Sequence, residues 1–227
     1  MFGQSYDMKI YKSDGNVIEI WVPEIDSITF HETSTVNDID GNSYQTVKIG
    51  DQLWIAENLK VIHYRNGDAI PNVTDDTEWG NLTTAAYCNF NNNDSNGIIY
   101  GHLYNWYTVN DSRGLAPQGW HVPSQAEWQT LVDYLCGINV GGKIKEAGTD
   151  HWTSPNSGAT NESGFSALPG GVRNVNFYNL GQLAGFWSST EFSSYNVWCW
   201  AAFHDWSGFD NSYLNKQMGF SVRCIRD

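Results

Sequence analysis

The chain has 227 residues, with 25 Asp and Glu against 12 Lys and Arg, and a net charge of −13. This argues against a nucleic-acid partner or an anionic membrane surface, because both rest on clustered Lys and Arg. No apolar run reaches the ~18 residues of a membrane-spanning helix. The 11 Trp and 15% aromatics provide a sizeable core even though only 16% of residues are charged.

In chain order, Met8 to Phe30 reads as a β-hairpin: MKIY, the tight-turn pair Asp14-Gly15, then NVIEIWV. Pro23 ends the second strand because it lacks a backbone donor. Ile25 to Phe30 is a further short strand, and Glu32 to Asn37 a polar linker. A two-stranded ribbon is marginal alone. Residues 1–34 therefore read as an appendage and residues 35–227 as the main domain. Asp40-Gly41 and Gly50-Asp51 punctuate a second hairpin, in which Val47 and Ile49 alternate with Lys48. His63 to Trp79 is irregular and Asn89 to Asn96 is a polar loop.

Two main helices are predicted. Tyr100 to Val109 places Leu103, Trp106 and Tyr107 on one face. Ser124 to Leu135 is clearer: Ser124 is the N-cap, Glu127 completes a capping box, and Trp128, Leu131, Val132 and Leu135 form the apolar stripe. Gly137 ends it. Few helices, many short strands and aromatic-rich loops predict an α+β fold.

The C-terminal stretch carries the predicted site. Val197 to Phe203 and Phe220 to Ile225 are read as paired strands that hold up the loop between them. Side chains alternate across a strand. Val197, Cys199, Ala201 and Phe203 therefore form the inward set, and Trp198, Trp200 and His204 the other. In the second strand Phe220, Val222 and Cys224 point inward, with Ser221 and Arg223 opposite. The candidate ligand-binding residues are Trp198, Trp200, His204, Asp205, Trp206, Phe209, Asn211, Tyr213 and Asn215. They mix flat rings, which bind with little entropy loss, with short polar groups that fix orientation.

Other chemistry is thinly signalled. Cys88, Cys136, Cys199 and Cys224 show no C-x-x-C spacing, and the six histidines show no H-x-x-x-H or H-E-x-x-H spacing. No G-x-S-x-G, P-loop or Rossmann element occurs. Asp150, Glu162, Glu191, Asp205 and Asp210 could pair for glycoside hydrolysis only at a separation that sequence does not give. Asn92-x-Asp94-x-Asn96-Gly97 starts like a calcium loop, but Leu103 stands where an EF-hand needs Glu. Asn156, Asn161 and Glu162 are a second oxygen-rich group. A calcium site of another kind could use either group, but Asx turns are the favoured reading, and no cofactor is called for.

The blocks YQTVKIGDQLWIAENLK, YGHLYNWYTVND, GWHVPSQAEWQTLVDYL, TNESGFSALPGGVR, GFWSSTE and GFSVRCIRD resemble, in order, the Fibrobacter succinogenes major paralogous domain family. The N-terminal hairpin is similar to a short module of Bacteroidetes-type surface proteins. The resemblance implies a C-type lectin-like fold related to formylglycine-generating enzymes, no established enzymatic activity, and an extracellular or cell-surface location by secretion or a lipid anchor. The chain begins without an apolar signal core. Family members often carry a Cys before the GWH block that could pair with the C-terminal Cys; here the residues are Leu115-Ala116-Pro117-Gln118. Formylglycine-generating enzymes bind copper through a Cys pair. The inward parity of Cys199 and Cys224 instead points to buried thiols or a disulfide. The expectation is a noncatalytic domain that binds a glycan or protein ligand at the cell surface. The alternatives are a receptor diversified by a retroelement, or an enzyme of the related fold.

Overall fold

A computed structural model of the chain describes residues 7–11, 17–21, 34–137 and 139–227. Contacts divide the chain into two units, Met1–His31 and Glu32–Asp227. In the first, β1 (Asp7–Tyr11) and β2 (Val17–Trp21) pair antiparallel, with Tyr11 opposite Val17. The Asp14-Gly15 turn and the expected Ile25–Phe30 strand lie outside the described residues.

The second unit begins with β3 (Thr35–Asn37), β4 (Ser43–Ile49) and β5 (Gln52–Ile55), then α1 (Asp76–Gly80), β6 (Tyr87–Cys88), α2 (Asp94–Tyr100), β7 (Leu103–Tyr104) and α3 (Trp106–Val109). After β8 (Trp120–His121) come α4 (Gln125–Leu135), α5 (Val140–Ile144), β9 (Val172–Arg173) and β10 (Phe177–Tyr178). The chain ends with β11 (Leu183–Glu191), β12 (Asn196–Phe203), β13 (Phe209–Asn215) and β14 (Ile225–Arg226). The architecture is α+β and mostly antiparallel. One sheet has the order β3-β4-β5-β14-β8, a second the order β11-β12-β13, and β6-β7 and β9-β10 are two-stranded.

The hairpin signals place β4 and β5 as expected, with Gly50-Asp51 turning between Ile49 and its partner Gln52. The supposed linker Glu32–Asn37 instead contributes β3. Its return is fixed by the Asp38 carboxylate, which accepts from Asp40 N, Asn42 N and the Tyr44 hydroxyl at 2.6–2.9 Å. The expected helix over Tyr100–Val109 is also corrected. Gly101, at φ 75°, closes α2 at Tyr100. Leu103–Tyr104 then pairs with β6, and Asn105 caps a new short helix by accepting from Thr108 N. Part of the polar stretch Asn89–Asn96 is the start of α2, capped by Asn93.

Helix α4 forms as its capping box dictates: Ser124 Oγ accepts from Glu127 N, and Glu127 Oε2 accepts from Ser124 N at 2.8 Å. Trp128, Leu131 and Leu135 are buried, Val132 partly so. Cys136, at φ 38°, and Gly137 turn the chain out of the helix.

The two C-terminal segments read as partners do not pair. β12 lies between β11 and β13, with Cys199 opposite Trp187 and Trp198 opposite Tyr213. β14 instead closes the five-stranded sheet between β5 and β8. Residues 219–225 run through the interior, bridging Tyr104, Arg173 and Phe186, so Ser221 and Arg223 are buried as well as Phe220 and Val222. The β11-β12-β13 sheet separates two apolar clusters. Leu183, Trp187, Val197 and Cys199 belong to one; Ala184, Phe186, Trp200, Ala202 and Phe209 belong to the other, with Trp128 of α4.

His121 ties α4 to the end of the chain: Nδ1 meets Asp227 Oδ1 at 2.7 Å and Nε2 meets Glu127 Oε1 at 2.8 Å. Burial pulls the ring's pKa down, but these two hydrogen bonds outweigh it and leave it above 6.5. Burial likewise raises Glu127, and the bonds from Ser124 and His121 outweigh that, leaving it below 4.5. A raised histidine contributes stability below its unfolded pKa, lost as pH rises through the folded one. A lowered carboxyl contributes above its unfolded pKa, lost as pH falls through the folded one. Both contributions are therefore full between 4.5 and 6.5. The difference in Tm between wild type and His121→Gln should be widest there and shrink above it. Its amplitude is small because the ring is half-exposed. Thermal melts showing a difference that does not vary with pH would remove this linkage.

Candidate ligand-binding surface

The register of β12 and β13 puts Trp198, Trp200 and Ala202 of one strand beside Tyr213, Asn211 and Phe209 of the next. Side chains directly opposite in an antiparallel pair share a face. Six of the nine candidates, including Asn215 opposite Asn196, therefore do share one sheet face. That face is not uniformly open. Helix α4 covers its middle, where Trp128 lies 6.4 Å from Trp200 and 5.7 Å from Phe209, and the Trp200 indole donates to Gln125 Oε1 at 2.8 Å. Trp200 is 2% exposed and Phe209 is also buried. Both are corrected from ligand contacts to core residues. Alternation identified the face but not the helix packed on it.

Beyond the helix the face opens. Tyr213 is 48% exposed and stacks on Phe192, 47% exposed, with ring centroids 4.0 Å apart and planes at 9°. Trp198, half-buried, meets both edge-on, at 5.1 Å from Phe192 and 6.0 Å from Tyr213. Offset and edge-to-face pairs of this kind stabilise one another beyond simple burial. Phe192 was missed in the sequence. It reaches the platform because β11 slips register between Trp187 and Glu191, an irregularity of the bulge type that re-aims the residues after it. The connection to β12 is then tied by Phe192 N and Ser193 N donating to Asn196 O. The signal for it was an aromatic inside a polar turn, EFSSYN, which also holds the exposed Tyr195. Beside the platform, Lys216 pairs with Glu191 at 2.6 Å and lies over Trp106.

The other candidates sit at the opposite end of β12. His204 is half-buried, with Nδ1 3.3 Å from Ser154 O; Asp205 and Trp206 are exposed. This turn is held from beneath by Lys145, buried, whose Nζ donates to Ser157 O, Phe203 O and Trp206 O, each at 2.9 Å. Burial pulls the Lys145 pKa down to about 8, against the charge of Asp205. Gly141 allows the close approach of α5: a Cβ there would lie 1.9 Å from Gly208 O. Asn211 is half-buried, and Asn215 accepts from Gln217 N. The segment expected to be loop is thus largely strand β13.

The cysteines are all free thiols, and Cys88, Cys199 and Cys224 are buried. Burial pushes Cys88 to about 11, Cys199 to about 12, and Cys224 higher still. Leu115 and Ala116 pack in the same apolar cluster as Cys224. Among the described residues no three of His, Cys, Asp and Glu gather as metal ligands. Asn96 donates to Phe90 O, and Asn161 is spent on Ser166 through both its amide atoms. None of the described helices is long and apolar enough to cross a membrane.

No curated protein and no solved structure matches the chain. The model of the Fibrobacter succinogenes major domain matches residues 47–226, from within β4 to β14, and so takes in the β11-β12-β13 sheet, the five-stranded sheet apart from β3 and the start of β4, α4 and the aromatic platform. Over that span the chain belongs to the Fibrobacter succinogenes major domain family.

Proposed function

We propose that the chain is a noncatalytic binding domain of C-type lectin-like fold, displayed outside the cell, which recognises a glycan through Phe192, Trp198 and Tyr213. The supporting observation is the exposed, mutually stacked rings at the open end of a sheet whose centre is locked under α4. Such rings need no reordering before the apolar C–H face of a sugar lies on them. The exposed Asn215 stands at the same end, available to orient hydroxyl groups. The acid surplus of the chain suits a neutral ligand. Buried thiols with raised pKa values favour this reading over copper chemistry at Cys199 and Cys224.

A glycan array, followed by titration of the best binder, tests the proposal. Trp198→Ala and Tyr213→Ala should each weaken binding by ~10-fold, the worth of one stacked ring of about 1.4 kcal/mol. Trp206→Ala, at the other end of β12, should leave it unchanged. Binding that survives the Trp198/Tyr213 double variant but falls in Trp206→Ala would move the site to the β12–β13 turn.

A further inference from the structure

A cleft of about 450 Å³ opens beside α2 and shares no residue with the aromatic platform. Its size falls within the ~300–1,000 Å³ of small-molecule sites. Tyr87, Asn89 and Gly97 are its buried members, the half-buried His102 ring lies 4.8 Å from that of Tyr87, and Ile98, 71% exposed, is its apolar rim. Asp40, Lys60, Asn72 and Asp94 supply the polar lining.

Several of these groups are already fixed. Asp40 Oδ2 accepts from Ile62 N at 2.7 Å and His63 N at 3.2 Å. Asn89 Oδ1 meets His102 Nδ1 at 2.7 Å while its Nδ2 donates to Asp94 Oδ1 at 2.9 Å. Gly97 makes room for that amide, since a Cβ there would lie 2.2 Å from Asn89 Oδ1. Burial drives the His102 pKa down to about 4, so the ring is neutral. Burial, then the charges of Asp40 and Asp94, keep the Tyr87 phenol protonated and a donor.

The cleft therefore presents two carboxylates, one ammonium, amides, a phenol and an apolar rim, most of them held before any ligand arrives. Pre-fixed polar groups lose little freedom on binding. Adjacent donors and acceptors beside an apolar surface match a pyranose, whose hydroxyls both give and take hydrogen bonds and whose C–H face is apolar. The two carboxylates disfavour a uronate or phosphate, because an anion would face like charge with a single ammonium to offset it. We propose that this cleft is a second binding site, which takes one neutral pyranose unit. It stands whether or not the platform binds a glycan.

The test is ¹⁵N–¹H correlation NMR of the full chain titrated separately with methyl β-glucopyranoside, methyl β-galactopyranoside, methyl α-mannopyranoside and methyl β-glucuronide. At least one neutral glycoside should shift the amides near Asp40 and from Asn89 to Ile98 saturably, with a Kd of roughly 1 mM. Lys60→Ala and Asn72→Ala remove side chains that are partly or fully exposed, so the fold is kept. Each should weaken binding by about 3- to 10-fold, the worth of one hydrogen bond. The glucuronide should bind at least ~10-fold more weakly. Trp198→Ala should leave these shifts unchanged, which separates failure here from failure of the platform. Absence of saturable shifts with every neutral glycoside overturns the proposal. So does equal binding of the glucuronide, or a titration unaltered in the Lys60/Asn72 double variant.

Discussion

Trp128→Ala is expected to cost about 3–5 kcal/mol of folding stability. The side chain is fully buried, and its ring lies 4.8 Å from Trp54, 5.6 Å from Phe186, 5.7 Å from Phe209, 5.9 Å from Phe165 and 6.4 Å from Trp200. Its indole also donates to Trp187 O, so the change leaves a buried carbonyl unpaired as well as a cavity. These neighbours come from β5, β11, β12, β13 and the loop before β9, and they cannot all close on a methyl group. The loss is a large share of the ~5–15 kcal/mol by which domains are stable. Urea unfolding followed by tryptophan fluorescence measures it. A cost below about 1.5 kcal/mol would mean that the site collapses easily and that α4 is not the anchor described.

Arg223→Met should cost a similar ~3–5 kcal/mol. Arg223 is fully buried and donates to Asn58 Oδ1, Ile55 O, Phe165 O and Ser166 O at 2.7–3.2 Å, with its guanidinium over the rings of Phe165 and Phe186. Among the described residues no carboxylate bonds it directly. Burial pushes its pKa down to about 9, with Glu57 pulling the other way. Replacing a buried ion pair with apolar groups can be neutral when both partners go. Here the partners are three main-chain carbonyls and an amide, which stay behind without donors. Arg223→Lys should fail to rescue, because one ammonium cannot reproduce the planar fork. Chemical denaturation of both variants checks this. Wild-type stability in Arg223→Met would show that water replaces the guanidinium.

Local rules were readable in the sequence. The Ser124–Glu127 capping box and the Gly50-Asp51 turn each depend on residues within a few positions, and each forms where expected. Alternation also placed Trp198 and Trp200 on one face of β12 correctly. What sequence could not supply was the partner of each surface. Trp200 is core and Trp198 is half-exposed because α4, some seventy positions earlier, ends its cover between them. Val197–Phe203 was matched to the wrong strand for the same reason: parity fixes a face but not a neighbour. The stretch FDNSYLN looked like loop because it is polar, yet it is an edge strand that β12 holds in register. Strand alternation sets Arg223 opposite the inward residues Val222 and Cys224, and only the surrounding carbonyls show that this side too is interior.

The cover over the middle of β12 sets a length scale for whatever lands there. At ~3.4 Å per residue, the open ends at Trp198 and His204 stand about 20 Å apart. One sugar ring can touch a single end only. A linear oligomer seated at the Trp198 end meets α4 before it reaches His204, so affinity should level off once the units beyond the platform run into the helix, instead of drawing on both ends.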